Sequence, residues 1–247
     1  MGRVALISGG SRGIGRACAL ALAEDGFDVA VNYRRDDAAA ADTVAAIEAL
    51  GAKAKSYQAS VESAAEDEIM VAAVIADFGG IDTLVHSAGI ASRGHTVADT
   101  DPGELERVIA IHALGGHHLS RLVLPSMRTQ PRGDVVFVSS VAARILAPNS
   151  APYNMAKAAL EALAMTLAKE ERRHGIHVNV VAPGLVVTEM GRRLVRAMGV
   201  DDISTMDANA AFGRVCRPQD VAGVVRFLCS EPAGYLTGQV IAVDGGG

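Results

Sequence analysis

Three residues in the middle of the chain have the types and spacing needed to pass a proton to or from a carbonyl oxygen: Ser140, Tyr153 and Lys157. Tyr153 and Lys157 stand at i and i+4, so on a helix they share one face about a turn apart. A lysine ammonium there favours the tyrosinate and pulls the phenol pKa down from about 10. A phenol so tuned exchanges a proton with a carbonyl or an alcohol near neutral pH. Ser140 lies thirteen residues before Tyr153, at the end of an apolar run. From the edge of a sheet its hydroxyl can bond the same oxygen and steady the charge that develops on it. Taken alone, a Tyr and a Lys at this spacing make an ordinary surface pair.

A second constellation opens the chain. Ser8-Gly9-Gly10-Ser11-Arg12-Gly13-Ile14-Gly15 follows a short apolar run and leads into a helical segment. Glycines at 9, 13 and 15 permit a tight turn, close approach of the backbone to a diphosphate, and close helix–strand packing. The first N–H groups of the helix, with Ser11 to Ile14 around them, then face the phosphates. The next apolar run ends Asn32-Tyr33-Arg34-Arg35. An acidic residue there would bind a free ribose 2′-hydroxyl, whereas arginine accommodates a 2′-phosphate, and Arg12 can join the same group. The pattern favours NADP(H) over NAD(H). The alternative is that Arg34 and Arg35 are solvated surface residues.

The elements that must position these residues follow a simple rhythm. Val/Ile-rich runs at 3–8, 28–33, 53–57, 83–86, 135–139, 177–181 and 240–243 alternate with helical segments at 14–25, 37–50, 63–78, 102–128, 153–174 and 219–229. Apolar strands separated by crossover helices imply a parallel sheet covered on both faces. Right-handed crossovers make it doubly wound. The expectation is a Rossmann-type α/β sheet of about seven strands in a single domain over residues 1–247. Residues 185–218, rich in Met, Arg and Asp, break the rhythm and are expected to form a substrate lid.

Composition narrows the partners. With 50% hydrophobic and 21% charged residues the chain has ample material for a core, and a net charge of −5 provides no footprint for nucleic acid or anionic membrane. Three scattered cysteines fit neither a disulfide framework nor a metal knuckle. No signal peptide and no apolar stretch of spanning length are evident, so a cytoplasmic protein is expected.

Together these motifs resemble the short-chain dehydrogenase/reductase family, and the resemblance covers nearly the whole chain. It rests on the Gly9…Gly13-Ile14-Gly15 turn, Ser140, Tyr153 with Lys157, Asn179, Pro183-Gly184, and the closing Tyr235-Leu236-Thr237-Gly238-Gln239 with Val243-Asp244-Gly245-Gly246. Within the family the chain is most similar to the 3-oxoacyl-(acyl-carrier-protein) reductase type. The resemblance implies Tyr153 as general acid/base, Ser140 orienting the carbonyl, and Lys157 holding the nicotinamide ribose. It also implies that Pro183, Gly184, Val186 and Thr188 meet the nicotinamide end. A homotetramer or homodimer, and an acyl thioester carried on an acyl carrier protein, are further implications.

Three positions depart from the family pattern. His86-Ser87-Ala88-Gly89 stands where Asn-Asn-Ala-Gly is usual, Ser60 before Val61 replaces an Asp that contacts adenine, and His112 replaces a catalytic Asn. Two readings of His112 stand side by side, a proton relay with a pKa near 6.5 or a packed helix residue. His117 and His118 follow on the same segment, but 112 and 117 do not share a face and no carboxylate or cysteine completes a set, so no metal is expected. The leading function is hydride transfer between NADP(H) and a ketone or secondary alcohol. Reduction of other small or cyclic ketones is the alternative, and a catalytically weak NADP(H)-binding sensor is a reading from a different class.

Overall fold

The computed structural model describes residues 2–246 and turns each apolar run into a strand: β1 Val4–Ser8, β2 Asp28–Tyr33, β3 Ala54–Gln58, β4 Thr83–His86, β5 Gly133–Val138, β6 Ile176–Pro183 and β7 Val240–Val243. All pairings are parallel, in the order β3-β2-β1-β4-β5-β6-β7. The strand order reverses between β1 and β4, so a crevice opens at the C-terminal ends of those two strands. There Ser8 and His86 are register partners.

Successive strand residues supply two cores. Leu6, Leu84, Val135, Phe137 and Val178 pack on one face with Val74, Leu119, Val123 and Leu160. Ile7, Val31, Val85, Val136 and Val181 pack on the other with Cys18, Leu22, Val221 and Leu228. The helices that bring these partners are α1 Gly13–Glu24, α2 Asp37–Glu48, α3 Ala64–Phe78, α4 Pro102–Ile109, α5 Gly115–Met127, α6 Ala142–Ile145, α7 Ala151–Glu171, α8 Glu189–Ala197 and α9 Pro218–Leu228. Their starts are legible. Asp36, Ser63 and Asp101 accept the backbone N–H of Ala39, Glu66 and Glu104 respectively, as N-caps do.

The helix expected over 102–128 is not continuous. A π-helical turn over Ala110–Leu114 separates α4 from α5, and Gly115 N–H reaches back to Ala110 O. The two following glycines explain the local packing: a Cβ on Gly115 would lie 2.7 Å from Val61 O, and one on Gly116 2.8 Å from Leu160 Cδ1. The segment therefore lies against the loop after β3 and against α7 more closely than side chains permit. Smaller differences affect boundaries. β5 stops at Val138, leaving Ser139 and Ser140 beyond it, and α7 begins at Ala151 with Pro152 in its first turn. Residues 185–218 hold α8 and short 3-10 turns around a small cluster of Val195, Ile203 and Val215.

At the opposite, N-terminal ends of the strands, Asp134 at the start of β5 is 1% exposed. Arg3 pairs with it, Arg132 donates to Oδ1 at 2.9 Å, and His177 Nδ1 lies 3.6 Å away. Arg3 also donates to Cys229 O and Thr83 Oγ1, which ties three distant stretches of chain to one buried carboxylate.

Candidate active site

The strand ends and one helix bring the proton-transfer residues together. Ser140, two residues past β5, donates from Oγ to Pro183 O at 3.3 Å and accepts Ala142 N–H at 3.2 Å. α7 carries Tyr153 and Lys157, with Lys157 Nζ 5.5 Å from the Tyr153 ring centroid. Lys157 is 4% exposed and donates to Val138 O at 2.7 Å. Burial brings its pKa down to about 7, against the opposing pull of Glu161. Burial also raises the Tyr153 phenol above its ordinary value, with the Ser140 hydroxyl working in the other direction. The expected depression of Tyr153 by Lys157 is therefore not present in this structure. The low-dielectric surroundings penalise the charged form of each.

The glycine-rich turn sits at the crevice. Gly9 and Gly13 have φ values of 64° and 55°, and a Cβ on Gly15 would lie 2.2 Å from Gly9 O. Only glycine satisfies these positions. Arg12, the N-cap of α1, makes no side-chain cap, and no acidic residue stands in the first turn of the helix. Its N–H groups and the positive end of its dipole thus face outward, which suits a diphosphate. Thr188, the N-cap of α8, closes over the turn: a Cβ on Gly13 would lie 3.4 Å from Thr188 Cγ2. Gly184 N–H bonds Val243 O, which pins this side of the crevice to β7, and Val186 bridges to Cys216, which ties the two ends of 185–218 together.

At the adenosine end, Asn32 is 2% exposed and its side chain is committed internally, accepting Gly9 N–H at 3.3 Å and donating to Ala59 O at 3.0 Å. It shapes the turn from within. Tyr33 and Ser60 are half-buried at the ends of adjacent segments, and Val61 packs beneath Gly115. Arg12 pairs with Asp36, and Arg34 donates to Glu62 at 2.9 Å; Arg35 is exposed.

The structure adds a chain that residue spacing alone does not show. Ser8 Oγ accepts the N–H groups of Ser87 and Ala88, both at 3.1 Å, so its proton is directed to His86 Nδ1 at 2.9 Å. His86 must then carry its proton on Nε2, which donates to His112 O at 3.1 Å. One serine and one histidine thus join the Ser87-Ala88-Gly89 turn to the π-helical turn. The available signal was that Ser8 and His86 both end strands and both precede a glycine-containing turn. His112 itself is 1% exposed, with its ring centroid 5.4 Å from that of Tyr153 and Nε2 2.8 Å from Ile90 O. A Cβ on Gly89 would lie 2.4 Å from the His112 ring, so Gly89 makes room for it.

Burial, reinforced by Lys157, drives the His112 pKa well below 6.5 and that of His86 down to about 4. A base with a depressed pKa stays neutral above it. Both rings therefore favour the neutral form near neutral pH. Turnover should accordingly show no inflection near pH 6.5 due to His112. A kcat/KM profile of wild type and His112→Asn checks this, and an inflection present only in the wild type would contradict it. His117 is exposed, away from His112.

Comparison with known proteins adds to this geometry. The family model described as enoyl-(acyl carrier protein) reductase matches residues 9–247. A 3-oxoacyl-[acyl-carrier-protein] reductase of Synechocystis sp. is 38% identical over 245 residues, spanning 99% of this chain and 96% of the relative. This chain belongs to the short-chain dehydrogenase/reductase family. Among solved members of the family, a short-chain type dehydrogenase/reductase from Mycobacterium marinum superposes with a TM-score of 0.90 at 31% identity, covering 99% of this chain and 95% of that one. L-sorbose reductase from Gluconobacter frateurii, solved with NADPH and L-sorbose, gives a TM-score of 0.92 at 28% identity over 99% of this chain and 96% of that one. The short-chain dehydrogenase/reductase fold, its oxidoreductase class and its use of a nicotinamide cofactor thus apply to this chain. Its relatives differ in substrate, so the substrate must be argued from the site.

Proposed function

We propose that this protein is an NADPH-dependent reductase that converts the ketone of a 3-oxoacyl thioester to a secondary alcohol. The observation that carries this reading is the convergence of Ser140, Tyr153 and Lys157 at the crevice edge beside an uncapped, glycine-rich helix start. The cofactor's nicotinamide supplies or accepts hydride when bound. Ser140 donates a hydrogen bond to the carbonyl oxygen and fixes its position, Tyr153 delivers the proton to it, and Lys157 holds the ribose and sustains the polarity of the phenol. Gly9, Ser11, Arg12, Gly13, Ile14 and Gly15 form the diphosphate cradle, and Ser87, Ala88, Gly89, Pro183, Gly184, Val186 and Thr188 line the nicotinamide side. Tyr33, Arg34 and Arg35, with Ser60 and Val61, face the adenosine. Asn32 supports them from behind.

The thioester assignment follows the reductases most similar in sequence and the mixed apolar and cationic outer face of α8, where Leu194 and Met198 are exposed beside Arg192 and Arg196. Residues 185–218 act as the substrate lid in this reading, with a carrier-borne acyl chain as the partner. α7 presents Ala158, Ala159 and Ala162 outward, small residues suited to helix pairing in a homo-oligomer. A cytoplasmic location accords with three unpaired cysteines.

The test is oxidation of NADPH, against NADH, with an acetoacetyl thioester and a panel of simple ketones. NADPH turnover on the thioester supports the proposal. NADPH turnover on ketones alone keeps the reductase and removes the thioester and its carrier.

A further inference from the structure

Resting on the NADPH reading, we propose that Glu62 and Arg107, which no motif singles out, set how strongly the adenosine end discriminates between a phosphorylated and a free ribose 2′ position. Arg34 directs Nη2 to Glu62 Oε1 at 2.9 Å, and Arg107 Nε on α4 lies 3.5 Å from Glu62 Oε2. Glu62 is thus bracketed by two guanidinium groups, one on the loop after β2 and one from across the crevice. All three side chains are partly shielded, at 36%, 26% and 47% exposure for Arg34, Glu62 and Arg107. Charges there interact over several ångströms with incomplete screening by water and salt.

The arrangement has opposing consequences for a phosphate dianion. Glu62 aims Arg34 while leaving the rest of its fork, Nε and Nη1, without partners among the described residues. A planar guanidinium can hold a carboxylate on one edge and present its other edge to a phosphate. The same carboxylate also places a negative charge close to the incoming dianion and repels it. Arg107 offsets that repulsion. Glu62 is therefore an electrostatic brake on 2′-phosphate binding, and Arg107 releases it. Nearby, Asp36 engages Arg12 in the same way, leaving Arg35 as an arginine with no ion pair among the described residues.

Charge and geometry are separable by substitution. Glu62→Gln keeps the shape and an acceptor for Arg34 but removes the charge. Arg107→Gln leaves Glu62 uncompensated. The ratio of Kd for NADH to Kd for NADPH, read by fluorescence titration, should widen about threefold to tenfold in Glu62→Gln and narrow by a similar factor in Arg107→Gln. Both changes should shrink as ionic strength rises through 0.5 M. Arg34→Gln should reduce the wild-type ratio more than tenfold. If Arg34→Gln does so while the Glu62 and Arg107 variants, shown folded by their melting transitions, leave the ratio unchanged or move it in the same direction, the proposal is overturned and the NADPH reading stands. A wild type that uses the two cofactors equally, or prefers NADH, removes the NADPH reading itself and the proposal with it.

Discussion

Replacing Tyr153 with Phe should cut turnover by about a thousandfold or more while leaving NADPH binding within a fewfold of wild type. The substitution removes one oxygen and keeps the ring that packs edge-on against His112, so the site should retain its shape. The proton donor alone is lost, and positioned acid–base catalysis is worth about a hundredfold to ten-thousandfold. A high value is expected because no nearby group can take over. His112 and His86 are neutral and buried, and Lys157 is directed to Val138 O. Ser140 can orient a carbonyl but cannot protonate it near neutral pH. Steady-state rates with the thioester, beside a fluorescence titration with NADPH, make the comparison. If Tyr153→Phe retained wild-type turnover, the assignment of Tyr153 would be wrong. If the wild type bound NADPH tightly and turned over nothing, the sensor reading would gain.

The largest effect on stability is expected far from the crevice. Asp134→Asn should destabilise the fold by about 3 kcal/mol, the lower end of what breaking a buried ion pair costs. The lower end applies because Arg3 and Arg132 are 29% and 20% exposed and can recover some hydration, while the carboxylate is 1% exposed. For a chain of this size that corresponds to a fall in Tm of about 10 °C. Arg3, Arg132 and His177 converge on this one group, so Arg132→Gln should cost less than Asp134→Asn. Removing the shared anion strands several partners, whereas removing one cation leaves another in place. Thermal melts of the two variants check the order.

The layout of the molecule was open to reading in advance, because a parallel sheet buried on both faces leaves continuous apolar runs in the chain. The order of β1 to β7 needs only those runs and right-handed crossovers. Ser140, Tyr153, Lys157 and the glycine turn were legible because their chemistry fixes both residue type and spacing. What could not be read depends on contacts between distant segments. The break in the helix at 110–114 leaves no mark in hydrophobic periodicity, since Ile111 and Leu119 remain on the buried side. Asn32 reads as ligand-facing from its place at a strand end, yet it is enclosed by Gly9 and Ala59. The pairing of Arg34 with Glu62 links β2 to the loop after β3, and no local pattern announces it. The depressed pKa of Lys157 is likewise a product of enclosure, which becomes visible only once the neighbours are placed.

The π-helical turn at Ala110–Leu114 lets the chain between β4 and β5 carry one residue more than a regular helix would hold. A π turn holds one residue more than the α-helical turn it replaces. Straightening this turn into α geometry with all its residues kept would swing α4 by about 100° relative to α5. Val108 would leave the core, Arg107 would leave Glu62, and the His112 carbonyl would re-enter the helical ladder, away from His86. Deleting one residue of the turn would instead let the helix run on in α geometry with the faces of α4 kept, so the turn stores a spare residue that descendants of this sequence can shed without turning α4.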